Sequence, residues 1–268
     1  MEKNLTIMLS KEKLKQIIQL ETKKGRKQQN KFLIEGTRSC EEAVKSAWEI
    51  ESLFYTVKAE ENLRIKQILK NAEKRGIELI QTKRNILEKI SDTVTSQGIA
   101  GVVKIKDFTS DTLFKRKPEF LLALDSIKDP GNMGTLIRTA DAFGVDGIIL
   151  SEDCVDLFNP KVVRSTMGSI FHLPILKDID LSDFLSNLKN NEFEIVITEL
   201  EKGEALNRLD ITKKICLVIG SEPEGVSKNL IQLADHLVKI PIPGKAESLN
   251  VAVACGILLY EMTEKRKE

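Results

Sequence analysis

Histidine and cysteine are scarce in this chain. Its 268 residues hold two histidines, His172 and His236, and four cysteines, Cys40, Cys154, Cys216 and Cys255. There is no C-x-x-C pair and no set of side chains spaced to ligate a metal, so metal catalysis is not expected and no metal-site residue is assigned. Apolar neighbours around Cys216 and Cys255 point to buried free thiols in a reducing compartment, not to a disulfide framework. The two histidines also sit among apolar residues, where a packed, hydrogen-bonded ring is expected ahead of a catalytic one. No stretch approaches the ~20 apolar residues of a membrane-spanning helix. The opening M-E-K-N-L-T-I-M-L-S-K lacks the apolar core of a signal peptide. A soluble cytoplasmic protein without a membrane partner is therefore expected. Two fingerprints are missing as well. Without G-x-G-x-x-G a dinucleotide-binding dehydrogenase is disfavoured, and without G-x-x-x-x-G-K-[ST] so is a P-loop nucleotide hydrolase.

Charge is present in abundance but unevenly. The net charge of +1 hides a split between 25 Lys/Arg against 16 Asp/Glu in residues 1–117, a net of +9, and 16 against 24 in residues 118–268, a net of −8. Such a split suggests a basic portion that meets a polyanion. Its densest part, Lys11 to Lys31, has eight basic residues against Glu12 and Glu21. Within it K-K-G-R-K-Q-Q-N reads as an exposed basic loop, with Lys23, Lys24, Arg26 and Lys27 placed to neutralise the phosphates of a polyanion. A solvated terminus is the alternative for this segment alone.

The length implies two domains. Short apolar runs alternate with helical patterns up to residue 105, including strands at Lys31–Glu35, Ser52–Val57 and Ile99–Ile105. This is a small α/β domain over residues 1–105. Phe32, Trp48, Phe54 and Tyr55 are expected in its core. The polar, proline-closed stretch 106–118 reads as a linker, and residues 119–268 form a second α/β domain. Phe120–Leu124 is apolar throughout, as in a parallel strand covered on both faces.

In the second domain three strand–loop–helix junctions carry polar groups where open α/β sheets bind ligands, outside the carboxyl ends of the strands. Asn132 and Arg138 follow the first strand, Glu222 lies in G-S-E-P-E-G, and Ser248 and Asn250 precede the last helix. Taken singly each has an ordinary role as a cap, a turn residue or an exposed helical charge; the joint pattern argues for a site.

The stretches L-D-S-I-K-D-P-G-N-M-G-T-L-I-R-T-A-D-A-F-G, L-V-I-G-S-E-P-E-G-V-S and I-P-I-P-G-K-A-E-S-L-N-V-A-V-A resemble, in order and spacing, the three motifs of the SpoU (TrmH) family of RNA ribose 2′-O-methyltransferases of the SPOUT superfamily, over about residues 119–262. K-F-L-I-E-G and its helix resemble the ribosomal-protein-like RNA-binding domain that many members carry. The resemblance implies a parallel sheet ending in a deep trefoil knot, a rare exception to unknotted chains. It also implies S-adenosylmethionine held around Gly220, Ile240 and Leu249, with Thr198, Ser221 and Ile242 nearby. Arg138, Asn132, Glu222, Ser248 and Asn250 would form the active site of a homodimer. Pro223, where glycine is frequent, is a mild departure that should stiffen its loop. The resemblance gives Arg138 a proton-accepting role. A guanidinium stays protonated in proteins, so anchoring the phosphate beside the target ribose is the alternative. The substrate expected is structured RNA, ribosomal RNA first and transfer RNA next. A catalytically silent RNA-binding or ribosome-associated protein of the same fold is the competing reading.

Overall fold

The computed structural model describes residues 10–91, 96–200, 202–206 and 214–266; the opening stretch through Leu9 lies outside them. In chain order come helices α1 (Lys11–Gln19) and α2 (Lys23–Gln29), strand β1 (Lys31–Glu35), α3 (Thr37–Lys45), β2 (Ile50–Tyr55), α4 (Leu63–Lys74), β3 (Glu78–Gln81), α5 (Arg84–Ser91) and β4 (Ile99–Lys104). They are followed by α6 (Ser110–Phe114), β5 (Phe120–Leu124), α7 (Pro130–Ala142), β6 (Gly147–Ser151), α8 (Pro160–Ser165), β7 (Ile175–Ile179), α9 (Leu181–Asn190) and β8 (Phe193–Thr198). The last elements are β9 (Glu204–Ala205), β10 (Lys214–Ile219), α10 (Lys228–Ile231), β11 (His236–Lys239) and α11 (Val251–Lys265). They assemble into two units, one from residues 1–106 with 158–171, the other from 107–157 with 172–268.

The first unit holds a four-stranded sheet in the order β1-β4-β2-β3. Phe32, Trp48, Phe54 and Tyr55 are buried, as expected. Phe32 meets Phe158 with ring centroids 4.7 Å apart, and Trp48 meets Phe171 edge-on at 5.4 Å. These rings are core, and they draw residues 158–171 into this unit.

Two expectations need correction here. K-K-G-R-K-Q-Q-N is not a loop but the helix α2. The Thr22 hydroxyl accepts from the Gly25 amide at 3.0 Å, and Asn30, with φ +52°, closes the helix in the left-handed region. A Cβ on Gly25 would lie 2.0 Å from the Gln19 carbonyl oxygen, so the approach of α2 to the end of α1 requires glycine there. Arg26 is 4% exposed and donates through Nη1 to the carbonyls of Leu20 at 2.8 Å and Glu21 at 2.7 Å. Its charge serves the open carbonyl end of α1 and cannot face RNA. Lys23, Lys24 and Lys27 are exposed. The second correction concerns residues 106–118. Instead of a plain linker they carry α6, started by a Thr109–Thr112 capping box, and Leu113 is fully buried in the core of the second unit.

That second unit is a seven-stranded sheet in the order β7-β6-β5-β10-β8-β11-β9, with every pairing parallel. β5 is buried at all five positions, which accounts for its uniformly apolar sequence. Cys216 and Cys255 are buried free thiols, and burial in apolar surroundings pushes both thiols up from their ordinary pKa. The histidines are less enclosed than expected. His172 Nδ1 lies 2.7 Å from Asp141, and His236 pairs with Glu194 at 3.5 Å, each side chain about one-third exposed. Parallel pairing brings the carboxyl ends of β5, β8, β10 and β11 to one edge of the sheet, where the three polar junctions lie.

Candidate active site

Each junction is shaped by local chemistry. Asp129 caps α7 by accepting from the Asn132 amide at 2.7 Å, with Pro130 in the first turn. Asn132 itself is therefore not the cap, and its side chain is free to project elsewhere. After β10 the chain makes a tight turn. The Gly225 amide donates to the Ser221 carbonyl at 2.9 Å, Gly225 has φ +68°, and Glu222, Pro223 and Glu224 form the tip. A Cβ on Gly220 would lie 1.9 Å from the Gly225 carbonyl oxygen, so no other residue fits. Before α11, the cap is Asn250 and not Ser248. Its Oδ1 accepts from the Ala252 and Val253 amides at 3.1 and 3.3 Å.

Three of the five predicted site residues converge. The Asn250 amide donates to Glu222 Oε1 at 2.6 Å and to Asn132 Oδ1 at 3.0 Å. Asn132 donates to Glu222 Oε1 at 3.1 Å, and the Val251 amide donates to the same oxygen at 3.0 Å. One carboxylate oxygen thus gathers three donors from two other junctions. Ionised acceptors make the stronger hydrogen bonds, so Glu222 ties together loops that are 90 and 28 residues from it in the chain.

Beside this cluster lies a cavity of about 330 Å³, within the roughly 300–1,000 Å³ of small-molecule sites. All six residues predicted for the cofactor, Thr198, Gly220, Ser221, Ile240, Ile242 and Leu249, line it, as do Glu222 and Ser248. The main-chain groups of Ile242 and Leu249 have no hydrogen-bond partner among the described residues, leaving polar backbone available to the edge of a heterocycle. Apolar walls from Ile240, Val226 and Leu258 suit a ring, and the carboxylates of Glu199, Glu222 and Glu224 favour a cation. The residues present thus fit S-adenosylmethionine, a nucleoside bearing a positive sulfonium.

Arg138 is not brought in. It follows Asn132 by six residues on α7, which turns it about 120° away around the helix and about 9 Å along it. It is exposed, with no ion-pair partner among the described residues. Sequence reasoning missed Glu199, Glu224 and Lys239, which also line the cavity. Glu199 directly follows β8 and Lys239 ends β11, so their place at a strand's carboxyl end was the available signal.

Residues 119–260 match the model of the SpoU rRNA Methylase family, and residues 11–101 match an MRM3-like substrate binding domain. The chain is 34% identical over 251 residues, 94% of its length and 96% of the other, to the 23S rRNA (guanosine(2553)-2′-O)-methyltransferase RlmP of Bacillus subtilis (strain 168). The AdoMet-bound rRNA methyltransferase of Sinorhizobium meliloti superposes with a TM-score of 0.83 at 32% identity, covering 94% of each chain. The SpoU methyltransferase AviRb of Streptomyces viridochromogenes superposes with a TM-score of 0.84 at 28% identity, covering 96% of this chain and 98% of that one. The parallel sheet with its cavity at the β8, β10 and β11 ends is accordingly the α/β knot, and the chain belongs to the SpoU rRNA methylase family.

Proposed function

We propose that this protein transfers a methyl group from S-adenosylmethionine to a ribose 2′-hydroxyl of ribosomal RNA, with the basic first unit holding the substrate. The observation that carries the reading is the Asn132–Glu222–Asn250 cluster beside a cavity lined by all six cofactor-site residues. When bound, S-adenosylmethionine supplies a methyl on a sulfonium: the O–CH₃ bond forms as the S–CH₃ bond breaks, and the electron pair stays on sulfur. The protein's part is alignment, which is worth about 7–11 kcal/mol at best for well-held reactants, and disposal of the 2′-hydroxyl proton. Glu222, pinned by three donors, presents a fixed edge to the cavity, while Asn132 and Asn250 hold it there. Ser248, on the cavity wall, is placed to touch the substrate or the cofactor. Arg138 anchors the phosphate next to the target ribose, and that phosphate or a water takes the proton.

Because Arg138 points away from its own cluster, we assign it to the site of a second copy in a homodimer. Support comes from α11, where Val253, Ile257 and Tyr260, at i, i+4 and i+7, are 53%, 36% and 56% exposed. Such an apolar stripe suits a partner. The exposed Lys23, Lys24 and Lys27 of the first unit carry the RNA phosphates, without Arg26. Among the described residues no helix is long and apolar enough to cross a membrane. The test is Arg138→Ala: methyl transfer should be lost while S-adenosylmethionine affinity by calorimetry stays near normal. Loss of both together rejects the assignment. A non-catalytic RNA-binding role would instead leave wild-type protein without transfer to any RNA.

A further inference from the structure

Asp125, the residue directly after β5, is 4% exposed and lies outside the cavity lining. Its carboxylate accepts from three donors. Oδ2 takes the Ser227 amide at 2.9 Å and the Ser227 hydroxyl at 2.6 Å, and Oδ1 takes the Ser126 hydroxyl at 3.1 Å. Ser227 precedes α10 in the cap position, yet its side chain makes no cap hydrogen bond; the hydroxyl is given to Asp125 instead. Ser126 has φ +58°, a conformation that side chains other than glycine adopt at a cost. Its amide donates to the Ser151 hydroxyl at 2.9 Å, so the strained residue is held from both sides.

The consequence is geometric. The Glu222 turn leaves the sheet at Ile219 and returns at Ser227. Its outgoing leg is fixed to β5 by strand pairing, continued by the Asp125 amide donating to the Ile219 carbonyl at 2.8 Å. Its returning leg, including Gly225 and Val226 of the cavity wall, is fixed to β5 through Ser227 and the Asp125 carboxylate. Asp125 opens the short loop that leads into α7, whose first turn carries Asn132. One buried carboxylate therefore registers the turn that carries Glu222 against the loop that leads into α7 and Asn132. We propose that Asp125 is a positioning residue for the cofactor wall and for Glu222, acting through Ser227. The proposal rests on the reading of the cavity as the S-adenosylmethionine site.

The geometry also says which substitution is tolerated. In Asp125→Asn the amide oxygen can accept both Ser227 donors while the amide nitrogen donates to the Ser126 hydroxyl, so every bond is kept without the charge. Asp125→Ala leaves the Ser227 amide and hydroxyl without an acceptor, and buried groups left unpaired are costly. Ser227→Ala removes one of the two ties.

The test measures S-adenosylmethionine affinity by calorimetry and single-turnover methyl transfer for the full-length wild type and these variants, with thermal unfolding as a fold check. Asp125→Ala should weaken affinity about tenfold or more and slow transfer at saturating cofactor by a similar factor. Ser227→Ala should weaken affinity by about threefold, and Asp125→Asn should stay within about threefold of wild type. Equal damage in Asp125→Asn and Asp125→Ala would overturn the proposal, because the charge and not the positioning would then matter. If Asp125→Ala does not fold, wild-type affinity in Ser227→Ala overturns it. Amide hydrogen exchange at Val226 and Ser227, read without ligand, tests the tie by itself. Faster exchange there in Ser227→Ala, with a wild type that binds no cofactor, would sink the cofactor reading and leave the tie standing.

Discussion

Asn250 has two jobs that a single substitution can separate. Its Oδ1 caps α11, and its Nδ2 donates to Glu222 at 2.6 Å. Asn250→Ala ends both, with a cap loss of about 1 kcal/mol. N250D retains an acceptor for the Ala252 and Val253 amides and adds a negative charge at a helix N-terminus, favourable by roughly 0.3–1 kcal/mol. It also replaces a donor with a carboxylate oxygen facing Glu222 Oε1. At the 2.6 Å of the present bond two unit charges repel by about 1.6 kcal/mol with bulk-water screening and about 6 kcal/mol at an effective dielectric of 20. Asn250 is exposed, so the lower figure governs, and even it corresponds to roughly tenfold or more in rate. At pH 8 N250D should therefore lose roughly 1 kcal/mol of stability, the repulsion less the helix-end gain, and transfer methyl at least about tenfold more slowly.

The pH dependence has a definite sign. A neighbouring carboxylate raises the pKa of the new acid, so a proton shared between the two restores the donor as pH falls. The rate of N250D relative to wild type should rise between pH 8 and pH 5.5. A raised folded-state pKa also means that N250D stability relative to wild type declines as pH increases through that value. Single-turnover transfer of labelled methyl and thermal unfolding across this range check both. Full activity of N250D at pH 8, or a stability difference from wild type that does not change with pH, would refute the cluster as described.

Three further outcomes follow from the geometry. Replacing Lys23, Lys24 and Lys27 with Glu should lower RNA affinity and flatten its dependence on salt by about 0.7–0.9 in log–log slope per lost phosphate contact, with the fold intact by circular dichroism. Arg26→Ala should instead lower thermal stability, because it strips two carbonyls of their donor; an unchanged melting temperature contradicts its buried role. Gly220→Ala should abolish cofactor binding by calorimetry, since its Cβ would meet the Gly225 carbonyl oxygen at 1.9 Å; wild-type affinity would show that the turn is not as described.

What could be read from the sequence was whatever depends on local pattern. β5 is so uniformly apolar that burial on both faces was the natural reading, and the glycine-bounded turn at Gly220–Gly225 announced a ligand loop. What failed depended on distant partners. Arg26 sits in a run of lysines, and its bonds to the carbonyl end of α1, six residues back, hold it out of the solvent. Leu113 is one of three large apolar residues, with Phe108 and Phe114, in a polar stretch, and its burial in the second core shows only when the sheet is assembled. Asp125 carries no local signal of its role because its partner, Ser227, lies 102 residues away. The divergence of Arg138 from Asn132, by contrast, was available from the helical period alone and is what supports the proposed second subunit.

Mapping 2′-O-methylated riboses across total RNA from cells with and without this protein tests the methyl transfer itself. The account predicts one ribose in ribosomal RNA whose methylation disappears without the protein and returns with the wild-type chain but not with Arg138→Ala. An unchanged map, or a lost site that Arg138→Ala restores in full, would contradict it.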